Sequence, residues 1–350
     1  LNSALNQART IKSHIYEFMC LMVFAKITLD EDAQKGLECL RKALALGRQH
    51  GYLNMIWWWH PQLFSQLCEK ALVTGIETEY VRRLVRVHKL VPASEAGRIE
   101  VWPWAIKITT FNRFQVRVGG EPLAFKGRPP KKPLELLQNL VALGGKEVPV
   151  DRILDELWFE ADGDMAQSAF STALNRLRKL LCDKEAIVMS NRSITLNPEH
   201  CWVDCLAFEH ALTEGDANWD RQNQAAAMSC YQQALAMYKG LFLASERPLP
   251  WIIAARERFK NRFLAASLKV GQWWEGEQRF DAAMACYQKG LSVDDLEEAL
   301  YQRLMNLQLC LGCPSEAVRI YQRCQERLAA VLQVAPSRAT QALYRKAVLP

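Results

Sequence analysis

The chain has 350 residues, half of them apolar and 23% charged, which is ordinary for a soluble protein of roughly two or three domains. No apolar run approaches the ~20 residues of a membrane span. The 11 cysteines, an odd number, argue for reduced thiols in a cytoplasm rather than a disulfide framework. The formal net charge of +6 permits contact with nucleic acid but does not require it. The start, Leu1-Asn2-Ser3, has no initiator Met and no signal-peptide pattern, so a trimmed chain with more protein upstream is expected.

Residues 1–92 read as a helical segment. Leu37, Leu40, Ala43, Leu44 and Leu46 recur at helical spacing. Gly47 and Gly51 should loosen or end that helix, and Leu63, Leu67, Leu72 and Val73 continue the pattern beyond Pro61. The basic run from Arg82 to Lys89, closed by Pro92, reads as a solvated helix face rather than a DNA contact. Trp57, Trp58 and Trp59 have the makings of a ligand cage. Packing between helical hairpins is the preferred reading, because cores use large aromatics routinely. Residues 93–105, with Gly97 and Pro103 and no clear period, read as a linker.

From Ile106 the period changes. Ile106, Ile108, Phe111, Phe114, Val116 and Val118 partly alternate, as half-buried strands do. Gly119-Gly120 marks a hairpin turn, with Leu123 and Phe125 on the return strand. A basic, proline-rich loop follows, containing Lys126, Arg128, Lys131 and Lys132.

Three helices are then predicted. The first, about 133–143, carries Leu134, Leu137, Leu140 and Val141 and ends at Gly144-Gly145. The second, about 151–158, starts with Asp151 as N-cap and has Ile153, Leu154, Leu157 and Trp158 as its apolar face. The third, about 165–181, places Phe170, Leu174, Leu177 and Leu181 on one face. A short hairpin turns at Ser190-Asn191-Arg192-Ser193. Strands, three helices and a β-hairpin, over 106–200, make a winged helix-turn-helix.

The remainder, 201–350, reads as helical repeats. Ala283 and Ala317, and Tyr287 and Tyr321, are each 34 positions apart, and Ala227 with Tyr231 gives an earlier copy. That period is the one of tetratricopeptide-type hairpins, whose stacking exposes a concave surface suited to protein contacts. The fold class expected is therefore mainly α with a small α+β domain: a winged helix flanked by helical repeats.

A helix that enters the major groove needs one apolar face for its own domain and hydrogen-bonding, cationic side chains on the other. The third helix meets both demands, with Ser168, Ser171, Thr172, Asn175, Arg176, Arg178 and Lys179 on its polar face. Arg176 and Arg178 are two positions apart, roughly 200° around the axis, and cannot point the same way. Thr172, Asn175 and Arg176 cluster at spacings of three and four and are the expected base-facing group; Ser168, Arg178 and Lys179 suit phosphates better. Arg192 at the hairpin tip suits the minor groove or a phosphate. Over 104–200 basic and acidic residues nearly balance, so bulk charge does not predict DNA binding. Their distribution says more. Acids gather from Asp151 to Asp164, and bases gather in the 126–132 loop and after Asn175.

Phosphate-loop, zincin and nucleophile-elbow motifs are absent, and the chain reads as non-catalytic with no cofactor. Glu297-Glu298 suits a helix start. Cys310-Leu311-Gly312-Cys313 reads as a helix stop before a start at Pro314 rather than a metal or redox pair. His200, Cys201 and Cys205, interleaved with Asp204, lie where a strand runs into a helix, and a metal site is not expected there.

Residues about 106–200 resemble the OmpR/PhoB-type winged helix, most closely at Asn175-Arg176-Leu177-Arg178-Lys179-Leu180-Leu181. Residues about 201–347 resemble the bacterial transcriptional activator domain of SARP-type regulators. The matching elements are Val203-Asp204 with Phe208, Tyr238-Lys239-Gly240-Leu241-Phe242-Leu243, Trp251 with Arg256-Glu257-Arg258, Leu304-Met305 and Ala335-Pro336-Ser337. The resemblance implies sequence-specific binding to double-stranded promoter DNA, recruitment of RNA polymerase through the loop carrying Phe159, Glu160, Asp162 and Asp164, and self-association on DNA. Asn175 stands where the family commonly has Ser or Arg, and Ile252-Ile253 follow Trp251 where a second aromatic is common. Base preference therefore does not carry over. The N-terminal helices resemble the tail of a sensor region in MalT-like regulators, which implies an upstream sensor and ATP-binding region as a further partner. The alternative is a non-catalytic helical-repeat scaffold whose winged helix docks protein rather than DNA.

Overall fold

The computed structural model describes residues 2–54, 59–93, 99–125 and 127–348. Among the described residues the chain is mainly helical with two small sheets, and no helix there is long and apolar enough to cross a membrane. Trp57, Trp58, Gly97 and Lys126, named above, lie outside the described residues.

The N-terminal segment contains α1 (Asn2–Thr10), α2 (His14–Glu31), α3 (Ala33–His50), α4 (Pro61–Val73) and α5 (Thr78–His88). Asp32 alone separates α2 from α3, and its carboxylate accepts the backbone N–H groups of Gln34 and Lys35 at the start of α3, satisfying donors that a helix start leaves free. Gly47 does not loosen α3. The helix runs through it to His50, and the missing side chain lets Tyr80 and Phe18 pack close against that turn. Gly51, at φ 66°, is the stop. Trp59 stacks between Phe64 and His88, at 4.4 and 3.7 Å between ring centres, in the packing role expected of it.

The expected linker is structured from Ile99 onward. Ile99, Trp102 and Trp104 are buried, and the Trp104 indole donates to Ile99 O at 2.9 Å. Burial of three large side chains outweighs the local Pro and lack of period.

Strands β1 (Ile106–Thr109), β2 (Gln115–Val118) and β3 (Glu121–Pro122) open the winged-helix unit. The return strand stops at Pro122; only the Leu123 N–H still reaches Val116 O, and Phe125 lies beyond the ladder. Then come α6 (Lys131–Ala142), β4 (Val148–Pro149), α7 (Val150–Leu157), α8 (Gly163–Leu180), β5 (Ile187–Ser190), β6 (Ser193–Leu196) and β7 (Cys201–Val203). One sheet has the order β3-β2-β1-β7, with β7 parallel to β1, and the other has the order β4-β6-β5. Asp151 is not the N-cap of α7. Pro149 holds that position and Asp151 lies in the first turn, where its charge suits the helix dipole. On α6, Leu136 replaces Leu134 in the fully buried set.

The C-terminal helices pack as successive pairs: α9 (Asp204–Asp220) with α10 (Gln224–Met237), α11 (Pro250–Gly276) with α12 (Phe280–Val293), and α13 (Glu298–Cys310) with α14 (Pro314–Leu332). Helix α15 (Arg338–Val348) closes against α13 and α14. The alanines of the repeat, Ala227, Ala283 and Ala317, are fully buried. Gly312, at φ 72°, ends α13, and Pro314 begins α14; Cys310 and Cys313 are free, exposed thiols.

The winged helix and the repeats share a continuous core. Asp204, the first residue of α9, is buried. It accepts the Thr110 N–H and hydroxyl, the Phe111 N–H and its neighbour Cys205's N–H, all within 3.0 Å. Burial pushes this carboxyl above the usual range, and these donors hold the rise back. Arg258 on α11 pairs with Glu209 and donates to Ala142 O at the end of α6, each at 2.9 Å. These bonds fix the orientation of α6, and hence of α8, relative to the repeats.

Candidate nucleic-acid interface

Helix α8 divides into two faces as its spacing required. Phe170, Leu174 and Leu177 are buried, with Leu181 just past the end. Ser168, Ser171, Thr172, Asn175, Arg176 and Lys179 are exposed. Arg176 and Lys179 enter no ion pair or side-chain hydrogen bond among the described residues, so their charges face solvent. The Ser171 hydroxyl donates to Gln167 O in its own helix, an ordinary back-bond that leaves its oxygen lone pairs outward.

Arg178 has another task. Its guanidinium donates twice to Ile187 O, at 3.1 and 2.7 Å, from a half-buried position. It pins the first strand of the wing to α8 instead of facing a phosphate. The sequence put it on the opposite side from Arg176; only the fold shows that this side meets β5.

The wing turn is a tight two-residue loop, with Asn191 and Arg192 both at positive φ (48° and 57°), the geometry that matches strand twist. Arg192 projects from its tip, and its guanidinium lies 2.9 Å from Asp151 on α7, both groups well exposed. Such a pair is weak in water and breaks readily.

The basic loop leads into α6. Arg128 is exposed and unpaired among the described residues, Lys131 lies 3.5 Å from Glu135 and Lys132 lies 3.2 Å from the same carboxylate. Lys132 also donates to Leu157 O at 3.0 Å and sits 5.5 Å over the Trp158 ring. Lys132 is therefore engaged within the domain, while Arg128 and Lys131 keep exposed charges. Beside Lys132, a groove of about 400 Å³ runs along α8, bounded by Trp158, Met165, Ser168, Thr172 and Arg176. Trp158 and Met165 were not anticipated here. Met165 lies in the first turn of α8, off its buried stripe, which was the available signal.

The α7–α8 loop presents Phe159, 75% exposed, among Glu160, Asp162 and Asp164.

Around His200 the side chains form specific pairings. His200 Nδ1 lies 2.5 Å from Asp183 Oδ2. Burial works against ionisation of Asp183, but hydrogen bonds from His200 and the Glu185 and Ala186 N–H groups outweigh it and hold the carboxyl below its ordinary value. Cys201 and Cys205 are buried, and burial raises both thiols.

Residues 203–348 match the family model described as "Bacterial transcriptional activator domain". No curated protein matches the chain. Among solved structures, Mycobacterium tuberculosis EmbR, in complex with a low-affinity phosphopeptide, is similar at 21% identity with a TM-score of 0.55. The match covers 70% of this chain and 65% of that one, so this chain spans less than two thirds of that regulator's length. At this identity the likeness is one of fold. The C-terminal part of the chain is thus similar to bacterial transcriptional activator domains, and a mainly helical architecture joining a winged helix to helical repeats is one it shares with EmbR.

Proposed function

We propose that the chain is a sequence-specific DNA-binding transcription activator. Residues 106–200 form the DNA-binding unit, residues 201–350 the activator domain, and residues 1–92 the tail of a sensor region with an ATP-binding switch upstream. Helix α8 enters the major groove of double-stranded promoter DNA. Thr172, Asn175 and Arg176 face base edges, while Ser168, Ser171, Lys179, Arg128 and Lys131 face the sugar-phosphate backbone. Arg192 reaches the adjacent minor groove or a phosphate after releasing Asp151. The α7–α8 loop, with Phe159, Glu160, Asp162 and Asp164, meets RNA polymerase, and the chain self-associates on DNA. The observation that carries this reading is the open polar face of α8: its leucines are buried and its unpaired cations stand beside a wing.

Fluorescence anisotropy on promoter fragments over a salt series tests it. The logarithm of the binding constant should fall linearly with the logarithm of salt concentration, because the protein's cations displace counterions from phosphates. Binding that is indifferent to salt sinks the reading. The exposed Phe159 favours a second reading, in which the domain only docks protein; polymerase capture without any DNA affinity would select it.

A further inference from the structure

Between α5 and the winged-helix unit lies a cleft of about 580 Å³ that the proposed DNA interface does not use. Its size falls within the range of small-molecule sites. The floor is apolar, built from Leu90 of the N-terminal segment and the indoles of Trp102 and Trp104, each under a tenth exposed. One wall is α5, which contributes Arg86, with Lys89 just beyond its end. The other wall belongs to the winged-helix unit, through the Gly119 turn and the segments carrying Asp183, Glu199 and His200.

The polar groups are unevenly committed. Asp183 is occupied by His200, and Glu185 lies 3.7 Å from the other nitrogen of the same ring. Arg86 and Lys89, by contrast, make no ion pair or side-chain hydrogen bond among the described residues. The Trp104 indole N–H is satisfied by Ile99 O. Two unpaired cations, Arg86 and Lys89, beside an aromatic floor call for an anion with a flat apolar body. Asp183, Glu185 and Glu199 on the facing wall disfavour a second negative charge, so a single carboxylate held at the Arg86 and Lys89 side suits the cleft better than a polyphosphate or dicarboxylate.

We infer that this cleft is a binding site for a small aromatic monocarboxylate. Its ring lies on the floor formed by Trp102 and Trp104, and its carboxylate meets Arg86 and Lys89. Arg86 also stands beside the β-hairpin turn: a methyl group at Gly120 would lie 3.6 Å from its Nη2. A ligand here joins the N-terminal helices to the winged helix. Its consequence for DNA control rests on the function proposed above; the binding does not.

The test uses the full chain without DNA, so failure to bind DNA leaves it unaffected. Indole-3-acetate and 1-naphthoate are titrated by calorimetry and by tryptophan fluorescence, with tryptamine as the cation of like shape. The expected result is saturable binding of a carboxylate at one site, with tryptamine at least tenfold weaker. The Arg86→Gln/Lys89→Gln variant should lose about tenfold or more in affinity. Ala105→Leu, which narrows the cleft without touching a charge, should also weaken binding and guards against misfolding of the first variant. Absence of saturable binding by both carboxylates overturns the inference. So does tryptamine binding equally well, or a folded variant of either kind binding as the parent does.

Discussion

The ring of Tyr287 lies across Gly271 so closely that a Cβ on that glycine would fall 2.2 Å from it. Tyr231 stands over Gly215 in the same way, at 2.5 Å, and each pair is 16 positions apart. The tyrosine therefore fills the space within its own helical hairpin, over the preceding helix, rather than the gap to the next hairpin. Its hydroxyl ends on an acid, Asp216 for Tyr231 at 2.7 Å and Glu275 for Tyr287. The third copy lacks the glycine. Tyr321 packs with Met305, also 16 positions earlier, and stacks on Tyr344 of α15 at 4.3 Å.

Gly271→Ala and Gly215→Ala should each destabilise the chain by roughly 1–3 kcal/mol through overpacking. Gly276→Ala, whose added methyl meets nothing within 4 Å, should be neutral or slightly stabilising, since Ala favours helix over Gly. Urea denaturation distinguishes them. Equal effects at all three positions would remove the tyrosine–glycine contact as the cause.

On the proposed interface, Arg176→Ala should weaken binding to a specific site by roughly 1–3 kcal/mol and relax base preference at one position. Lys179→Ala should weaken binding uniformly across sequences and lower the salt slope by about one. Both residues are exposed and unpaired, so thermal melting should be unchanged. Anisotropy on specific and scrambled duplexes separates the two effects.

Arg178→Ala should behave differently. It removes two bonds to Ile187 O and leaves that carbonyl short of donors, costing about 1–2 kcal/mol. Amide exchange in β5 and β6 should quicken while the salt slope of DNA binding stays near the parent value. A lowered slope with an unchanged wing would return Arg178 to the phosphates.

Asp204→Ala should orphan the Thr110 and Phe111 donors at the end of β1, at a cost of about 3 kcal/mol. Because Asp204 begins α9, the loss should uncouple the winged helix from the repeats. The expected signature is a broadened or two-step melt in calorimetry.

Glu298 gives a pH-dependent prediction. Burial opposes its ionisation, but the Thr340 hydroxyl and the Ser337 N–H and hydroxyl outweigh it, and its folded pKa lies below the ordinary 4.5. A carboxyl with a depressed folded pKa contributes stability that is present above its unfolded pKa and lost as pH falls through the folded one. Parent stability should therefore fall more steeply than that of Glu298→Gln as pH drops below about 4.5. Parallel curves for the two would dismiss the contact. Thr340 itself is fully buried, so this bond anchors α15 against α13.

Much of this architecture was legible along the chain because its elements bury faces with a regular period. The spacing of Phe170, Leu174, Leu177 and Leu181 fixed which side of α8 turns inward, and the 34-residue recurrence of Ala and Tyr marked the paired helices. Errors came where local rules met long-range contacts. Gly47 looked like a breaker and is a contact point for Tyr80; Asp151 looked like a cap and is a first-turn acid; residues 99–105 looked unstructured and bury two tryptophans.

The candidate site divides along the same line. Sequence alone determined which residues α8 offers on its polar face, since a helix sets side-chain direction by local geometry. It could not decide which of those cations stay free. That depends on what else arrives nearby: the Ile187 carbonyl at Arg178, Asp151 at Arg192, Glu135 and Leu157 at Lys132. Hydrogen bonds and ion pairs are short-ranged, so their partners are chosen by the tertiary packing, which brings together groups that the chain keeps far apart.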